Sequence, residues 1–411
     1  MAGGSGTRMG SSIPKQLLPI GNKPMMMHLI HNAYEIGSNI VLIVSTKNRD
    51  IVLGTLVDQG YLGYSSNDYT YNGSTIHICE QPVANGTGGA LMATTELLKQ
   101  QHPDDILLIL SADVPLISKQ TMLSMFEKIE HPDTKCVLLT KDTIDNYGYG
   151  RIVTDNGVFV KIVEQKDCTK DESLITLINT GTYAFKIGPL LTSFQHLNNN
   201  NAQNEYYLTD CPQYIGKNVR LVTFIDDSTY ESSYDETLGA NTPEQLDLLR
   251  IEYLKKFRIE KIQDSDINTT DVNLRNLMRV LEQLSSTKFS VKIDDMDVRK
   301  VLDHITNMNV STINKKHLFI VRYEDTIVGT GSVLVEDKLI HDIGRAAHIE
   351  DIVIDESYRG LGLAKRLMDV LVQCSKDEGC YKIILDASDD VKGFYEKLGF
   401  KQHANSMRLN V

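Results

Sequence analysis

The chain lacks an excess of basic residues: its 411 residues include 42 Lys and Arg against 54 Asp and Glu, a formal net charge of -12. Proteins that bind the phosphate backbone usually carry a basic face, so nucleic acid is not expected as a partner. The sequence also lacks an apolar run near the ~20 residues of a membrane-spanning helix, and its N-terminus lacks a signal-peptide pattern. We therefore expect a cytoplasmic protein that binds neither nucleic acid nor a membrane.

Closely spaced cysteines are missing as well. The six cysteines are scattered, without the spacing of a zinc site and without the framework of a small disulfide-rich domain. Reduced thiols are therefore expected. Hydrophobic residues make up 41% of the chain and charged residues 23%, which is typical of a globular protein. The length is too great for one ordinary domain, and two domains are predicted.

Short apolar runs alternate with helical stretches in the first part of the chain. The runs are NIVLIVS (39–45), TIHICEQ (75–81), DILLILSAD (105–113), TKCVLLT (134–140) and RLVTFID (220–226). This alternation predicts an α/β domain with a mostly parallel, doubly wound sheet over residues 1–250. A predicted helix at 243–257 leads out of it.

Residues 257–411 have a different order of elements. Two strands around an Asp/Thr turn are predicted within 318–337. A strand at 348–354, a helix at 363–379, a strand at 381–387 and a helix at 391–400 follow. This order predicts an α+β domain.

Glycines and cations cluster at the start of the chain. Gly3, Gly4 and Gly6 allow the backbone to bend around an anion, and Arg8 and Lys15 place positive charge where a triphosphate would develop charge during transfer. A glycine-rich terminus that is merely flexible is the alternative. The motifs that follow along the chain favour the first interpretation.

Those motifs form an ordered series: Gln81 with Gly86-Thr87-Gly88, Asp113-Val114-Pro115-Leu116, Gly148-Tyr149-Gly150-Arg151, residues 162–166, Asn179-Thr180-Gly181, residues 205–210 and residues 241–245. Over about the first 250 residues, the series resembles the N-acetylglucosamine-1-phosphate uridyltransferases, whose nucleotidyltransferase domain is Rossmann-like. The resemblance implies transfer of a uridylyl group from UTP to N-acetylglucosamine 1-phosphate. Such an in-line attack needs positioning and charge neutralisation more than a protein nucleophile.

The resemblance also implies the residues that bind each substrate. The nucleotide would be held by Gly3, Gly4, Gly6, Gln81, Gly86 and Thr87. The sugar would be held by Gly150, Glu164 and Asn179.

The resemblance further implies that cations neutralise the phosphate charge of the bound nucleotide. Arg8 and Lys15 would neutralise the UTP phosphates, and Asp113 and Asn241 would bind Mg²⁺, a hard ion that prefers oxygen ligands. Taken singly, Asp113 is also consistent with an ordinary strand-end aspartate, and Asn241 with a helix cap.

The sequence departs from this family in three ways. Ala112 stands where the family usually has glycine, and Ala84 stands where a second glutamine often contacts uracil. In this fold the phosphate loop leaves a buried central strand, but here the loop begins at Met1. Loss of that strand predicts exposed apolar neighbours and unpaired ladder hydrogen bonds, so we expect either an earlier native start or an impaired N-terminal half.

A second glycine motif follows a predicted strand and opens an amphipathic helix. Its backbone N–H groups and the positive end of the helix suit the pyrophosphate of an acyl-CoA. A tight turn without a ligand is the alternative, and a dinucleotide site is disfavoured because no matching βαβ unit accompanies the motif. The residues are Arg359, Gly360, Leu361, Gly362, Leu363 and Ala364.

Three further strings surround this motif: residues 348–353, 379–386 and 393–400. From about Phe257 onward they resemble glucosamine-6-phosphate N-acetyltransferase of the GNAT superfamily, which implies acetyl-CoA as co-substrate and a homodimer formed through this domain. The departure is Val391, where the family has an asparagine.

The resemblance implies that Glu350 and Asp351 lie at the amine and the sugar, that Asp386 orients the amine and that Tyr395 serves the leaving CoA sulfur. Lys382 or Arg408 would meet the 6-phosphate. The alternatives are solvated edge acids and a core tyrosine.

Together the two halves predict a bifunctional enzyme of UDP-N-acetylglucosamine biosynthesis. An active acetyltransferase fused to a degenerate binding partner is the main alternative. A GDP-sugar nucleotidyltransferase and a protein acetyltransferase also stay open. No hexapeptide repeat follows residue 245, so acetylation is expected to precede a 6-to-1 phosphate shift by a separate mutase.

Overall fold

The computed structural model describes residues 1–2, 9–11, 13–63, 65–71, 74–224, 234–262, 271–284, 293 and 314–403. The chain divides into two compact units, Met1–Tyr253 and Leu254–Val411. Five of the predicted site residues lie outside the described residues: Gly3, Gly4, Gly6, Arg8 and Arg408.

The first unit alternates strands and helices as its apolar runs predict. Its strands are β1 (Pro19–Ile20), β2 (Lys23–Pro24), β3 (Ile40–Ser45), β4 (Leu62–Gly63), β5 (Asp68–Tyr71), β6 (Ser74–Gln81), β7 (Ile106–Ile109), β8 (Cys136–Asp142), β9 (Gly150–Asp155), β10 (Val158–Val163), β11 (Leu177–Lys186) and β12 (Val219–Phe224). Its helices are α1 (Met25–Glu35), α2 (Arg49–Asp58), α3 (Thr87–Met92), α4 (Thr95–Leu98), α5 (Lys119–Glu130), α6 (Ile187–Ser193), α7 (Cys211–Ile215) and α8 (Pro243–Lys255).

The α/β class is confirmed, but the sheet is mixed rather than mostly parallel. β3 pairs with β6, and β8 with β12, in parallel. β11 lies between β7 and β8 and runs antiparallel to both. The β9–β10 hairpin extends this sheet through a turn at Asn156-Gly157, where both residues have positive φ (49° and 78°), as a tight two-residue hairpin requires.

β8 shows why these apolar runs form central strands. Side chains alternate between the two faces of a strand. Val137 and Leu139 pack in a cluster with α1 and α5, whereas Cys136 and Leu138 pack in a second cluster with α6 and α7. All four are buried to within 1% exposure, so the continuous apolar run is explained by burial on both faces.

Met1 and Ala2 lie between β3 and the chain that continues from β7. The Met1 amino group donates to the Leu110 carbonyl at 2.7 Å, and the Ala2 N–H donates to the Ile43 carbonyl at 2.7 Å. The Met1 carbonyl accepts from the Ala112 N–H at 3.1 Å. These two residues therefore supply ladder hydrogen bonds where the sequence predicted unpaired groups. Burial lowers the pKa of the Met1 amino group to about 6, against the opposing effect of Asp113.

The second unit has the predicted α+β layout. Its strands are β13 (Phe257–Lys261), β14 (Asn314–Tyr323), β15 (Thr326–Asp337), β16 (Arg345–Ile354) and β17 (Cys380–Leu385), in that order across the sheet. β16 and β17 are parallel, and the other neighbours are antiparallel. The helices are α9 (Asp271–Glu282), α10 (Leu363–Asp377) and α11 (Asp389–Lys397).

Helices cover both faces of this sheet. Leu274 and Leu277 of α9 pack with Leu318 and Ile320 of β14. On the other face α10 lies so close to β15 that a Cβ at Gly331 would be 2.9 Å from Leu371. Among the described residues, no helix is both long and apolar enough to span a bilayer.

Candidate active sites

Three predicted residues of the first unit meet at the carboxyl ends of its strands. Lys15 opens a short 3-10 turn, Asp113 follows β7, and Asn241 precedes α8. The Lys15 ammonium donates to the Asp113 carboxylate and, at 2.7 Å, to Asn241 Oδ1. The Ala240 N–H donates to the Asp113 carbonyl at 2.9 Å, which ties the last two segments together. The side chains of Lys15 and Asp113 are only 15% and 22% exposed.

The same three residues test whether a metal ion fits here. The carboxylate of Asp113 and the amide oxygen of Asn241 converge on one cation, the Lys15 ammonium. These are the oxygen ligands that Mg²⁺ accepts. Within the described ranges, no group of three His, Cys, Asp or Glu residues suits a metal ion. A Mg²⁺ ion at this point would be offered one carboxylate and one amide oxygen.

The loop after β6 is held against a neighbouring segment by hydrogen bonds. The Gly88 N–H donates to the Tyr206 carbonyl at 2.8 Å, and the Leu208 N–H donates to Thr87 Oγ1 at 3.1 Å. Gly86 has φ +102°, and a Cβ there would lie 2.5 Å from the Tyr206 carbonyl oxygen, so both conformation and space require glycine.

Gln81 forms hydrogen bonds within this loop. Its side chain is 6% exposed, and its amide N–H groups point to Asn85 Oδ1 at 3.1 Å and the Gly86 carbonyl at 3.2 Å. Gln81, which the resemblance assigns to the nucleotide, thus also fixes the loop through its amide nitrogen.

The predicted sugar residues lie on β9, β11 and the end of β10. Gly150 pairs with Asn179 across β9 and β11. A Cβ at Gly150 would lie 2.9 Å from Ile162. Glu164 accepts from Thr209 Oγ1 at 2.8 Å, and burial raises the pKa of Glu164 while that hydrogen bond opposes the shift.

Sequence reasoning missed two partners of these residues. Asn179 Nδ2 donates to the Tyr183 hydroxyl at 2.6 Å, and Thr209 contacts Glu164 as described. Thr209 belongs to the quoted 205–210 string, so a signal existed. Tyr183 is an aromatic residue within a buried strand, which does not separate it from ordinary core.

In the second unit, the predicted acyl-CoA loop joins β16 to α10. Gly360 and Gly362 have φ of +81° and +78°, and α10 begins at Leu363 immediately after Gly362. Arg359 Nε donates to the Ile354 carbonyl at 3.0 Å and anchors the loop to the end of β16. The six predicted residues thus form one turn at a helix N-terminus, a position that suits an anion.

The predicted acids of this unit are brought together by two residues that the sequence analysis did not single out. Lys316 Nζ donates to Glu350 Oε2 at 3.2 Å and to Asp351 Oδ2 at 3.0 Å. The His348 ring lies 3.7 Å from both Glu350 and Asp386. His348 stands two residues before Glu350, a spacing that puts both on one face of a strand. Lys316 lies on another strand and gives no local signal.

Tyr395 and Lys382 make no polar contact with the predicted acids. Within the described residues, no hydrogen bond or ion pair links either one to Glu350, Asp351 or Asp386. Tyr395 is half-buried against Phe394 and Phe400, and burial raises its pKa. Lys382 lies four residues before Asp386, about 13 Å along the strand, over the ring of Tyr381.

Comparison with known proteins matches both units to families. The nucleotidyl transferase family model matches residues 1–232. The chain belongs to this family. The acetyltransferase (GNAT) family model matches residues 280–400, so the second unit carries a GNAT acetyltransferase domain. The fold classes and both family resemblances predicted from the sequence are confirmed.

Individual relatives cover one half of the chain at a time. The protein named bifunctional protein GlmU from Geobacillus sp. (strain WCH70) is 34% identical over 243 residues, 59% of this chain and 48% of that protein. Its counterpart from Clostridium botulinum is 34% identical over 60% of this chain and 49% of that protein. The chain thus spans about half the length of these relatives.

A solved structure aligns with the other half. Glucosamine-6-phosphate N-acetyltransferase from Arabidopsis thaliana is 31% identical, covers 38% of this chain and 97% of that chain, and has a TM-score of 0.30.

Proposed function

We propose that the chain catalyses two steps toward UDP-N-acetylglucosamine: N-acetylation of glucosamine 6-phosphate by acetyl-CoA, and uridylyl transfer from UTP to N-acetylglucosamine 1-phosphate. The main support for uridylyl transfer is the convergence of Lys15, Asp113 and Asn241. These residues form a set that binds a cation, in a unit 34% identical to GlmU proteins. A degenerate first unit would not be expected to keep this set. We assign residues 1–250 to uridylyl transfer and 257–411 to acetylation.

For uridylyl transfer, a phosphate oxygen of the sugar phosphate attacks the α-phosphorus of UTP in line, and pyrophosphate leaves. Glu164, Asn179 and Gly150 would hold the sugar, and Gln81, Gly86 and Thr87 the base. Arg8 and Lys15 would neutralise phosphate charge during the transfer. Asp113 and Asn241 would hold Mg²⁺, which supplies further neutralisation of the phosphate oxygens.

For acetylation, the neutral amine of the sugar attacks the thioester carbonyl, the C–S bond breaks and the CoA thiolate leaves. The nitrogen gives up one proton to solvent, which offsets the proton that the thiolate gains. Glu350, Asp351 and Asp386 would receive the amine and the sugar, and Tyr395 would give its proton to the thiolate, which burial of the hydroxyl keeps available at neutral pH. The N–H groups of residues 359–364 would hold the CoA pyrophosphate. Lys382 or Arg408 would meet the sugar phosphate.

The two steps require an intervening reaction. Acetylation leaves phosphate on C6, whereas the transferase attacks through a phosphate on C1. A phosphate-shifting mutase must therefore act between the two sites.

We propose that two copies of the chain form a homodimer through the second unit. Among the described strands, β17 is at the edge of the sheet, and its Tyr381 and Ile384 are 40% and 37% exposed. Light scattering on the full chain tests this, and a monomer at micromolar concentration would contradict it.

One purified sample tests both activities. Acetylation of glucosamine 6-phosphate should far exceed that of glucosamine 1-phosphate, and equal rates would contradict the proposed acetyl acceptor. With N-acetylglucosamine 1-phosphate and Mg²⁺, UTP should react faster than GTP. Faster reaction with GTP would instead indicate a GDP-sugar enzyme. No Mg²⁺-dependent binding of any nucleotide would favour the degenerate alternative.

A further inference from the structure

A bulge in β16 breaks the normal alternation of side chains. β15 pairs Ser332 with Glu350 but Thr330 with Val353, so β16 has one more residue than β15 between these pairs. Asp351 lies in the bulge with φ +56°, a conformation that L residues other than Asn and Asp seldom adopt. Such strain persists only where surrounding contacts hold it in place.

The bulge places two consecutive carboxylates on one side of the sheet. Neighbouring residues on a regular strand point to opposite faces, so Glu350 and Asp351 should diverge. Instead, both reach the Lys316 ammonium, at 3.2 and 3.0 Å. Ser332 Oγ also donates to Asp351 Oδ2 at 3.1 Å.

Lys316 is more enclosed than an ordinary surface lysine. Its side chain is 20% exposed, against 36% for Glu350 and 40% for Asp351. Burial acts to lower the pKa of Lys316, but the Asp351 and Glu350 carboxylates outweigh it and raise the pKa overall. The ammonium therefore stays charged across the physiological range, and it contacts two carboxylates at once.

We propose that Lys316 is a positioning residue of the acetyltransferase site, which holds the Glu350 and Asp351 carboxylates side by side where the substrate amine is received. This inference rests on the proposed acetyl transfer. Lys316 lies on β14, two strands from β16, and acts on the substrate through the two acids. The acyl-CoA loop follows β16 beyond Ile354, and the hydrogen bonds of Lys316 go to Glu350 and Asp351 and not to the loop, so the ligand of the loop should not depend on Lys316.

The experiment compares two substitutions with a matched control. Lys316→Met removes the ammonium but keeps much of the apolar stem, and Lys316→Arg keeps the charge. Lys315→Met is the control: it is the adjacent lysine on β14, 51% exposed, and its ammonium binds Glu378 at 2.7 Å. The full-length chain is assayed with glucosamine 6-phosphate and acetyl-CoA varied in turn.

Lys316→Met should raise the KM for the amine by about tenfold to a hundredfold, the effect of losing a charged hydrogen-bond partner. The KM for acetyl-CoA should change less than about twofold, Lys316→Arg should recover most of the loss, and Lys315→Met should behave as wild type. An unchanged amine KM in Lys316→Met, or a parallel rise in both KM values, would overturn the proposal.

A readout without the amine separates this inference from the proposed function. If the wild type does not acetylate glucosamine 6-phosphate, the proposed substrate is wrong. The crystal structure of Lys316→Met with CoA then decides the role of Lys316. Separation of the Glu350 and Asp351 carboxylates would support it, and unchanged carboxylate positions would refute it.

Discussion

Replacing Lys15 with methionine should have opposite effects on metal binding and on catalysis in the first unit. Lys15 occupies the point where the Asp113 carboxylate and the Asn241 amide oxygen converge. A divalent cation that uses these oxygens must first displace the ammonium. The variant therefore gives the metal ready access to both ligands, while it removes a cation that the proposed mechanism needs at the phosphates.

The size of the metal effect follows from the contacts that are lost. Hydrogen bonds to charged groups are worth about 1.5–3 kcal/mol. Lys15 and Asp113 retain 15% and 22% exposure, so solvent screening favours the lower end of that range. Since about 1.4 kcal/mol corresponds to tenfold, Lys15→Met should tighten binding of Mn²⁺, a spectroscopic substitute for Mg²⁺, by about tenfold. Uridylyl transfer should nevertheless become at least about tenfold slower.

Electron paramagnetic resonance of free Mn²⁺, without nucleotide, measures the dissociation constant directly. Lys99→Met is the control, because Lys99 pairs with Glu96 on an exposed helix surface. In an Asp113→Asn background, the effect of Lys15→Met should disappear, since the shared ligand is gone. Weaker or unchanged Mn²⁺ binding in Lys15→Met would refute the reasoning that the ammonium and the metal compete for the same oxygens.

Three other variants test the remaining assignments. Asp113→Ala should abolish Mg²⁺-dependent uridylyl transfer and leave acetylation intact; a parallel fall in both activities would contradict the assignment of one reaction to each unit. Tyr395→Phe should slow acetyl transfer by about tenfold or more, and an unchanged kcat would assign Tyr395 to packing. Burial raises the pKa of Glu164 in the folded protein, so the protonated carboxyl is the form that folding favours. The stability that this form provides is complete below the ordinary pKa of 4.5 and is lost as the pH rises and Glu164 ionises. Glu164→Gln should therefore raise Tm at pH 8 more than at pH 4, and a gain independent of pH would contradict that assignment.

The sequence predicts strands and helices well wherever burial alone decides them. The run at 134–140 becomes β8 because alternate residues are buried on both faces, and the helix expected at 243–257 is observed as Pro243–Lys255. Burial does not predict the direction of a strand, because the direction depends on how the chain crosses the sheet. β11, which is not among the apolar runs predicted as strands, runs antiparallel between β7 and β8.

Site residues likewise divide into those with a local sequence signal and those that only the folded chain brings together. Lys15, Asp113 and Asn241 are far apart in sequence, and only their family motifs suggested that they meet. The glycines of the predicted acyl-CoA loop carry a local signal, since Gly360 and Gly362 have positive φ. The signal at Asp351 is weaker, because aspartate tolerates a left-handed conformation but far more often adopts an ordinary one.

In each unit a lysine contacts the predicted acids. Lys316 lies on a different strand from the acids that it contacts, so the sequence motifs do not include it. Motifs record residues that touch substrates, whereas a compensating cation needs only to reach the carboxylate from any strand of the sheet. Lys316 reaches Glu350 and Asp351 from two strands away, and Lys15 reaches Asp113 from a different loop. Acids that lie in a partly shielded site without such a partner would repel one another and favour protonation. Because an ammonium already satisfies the acids, an incoming cation gains only the difference between its own interaction and that of the lysine.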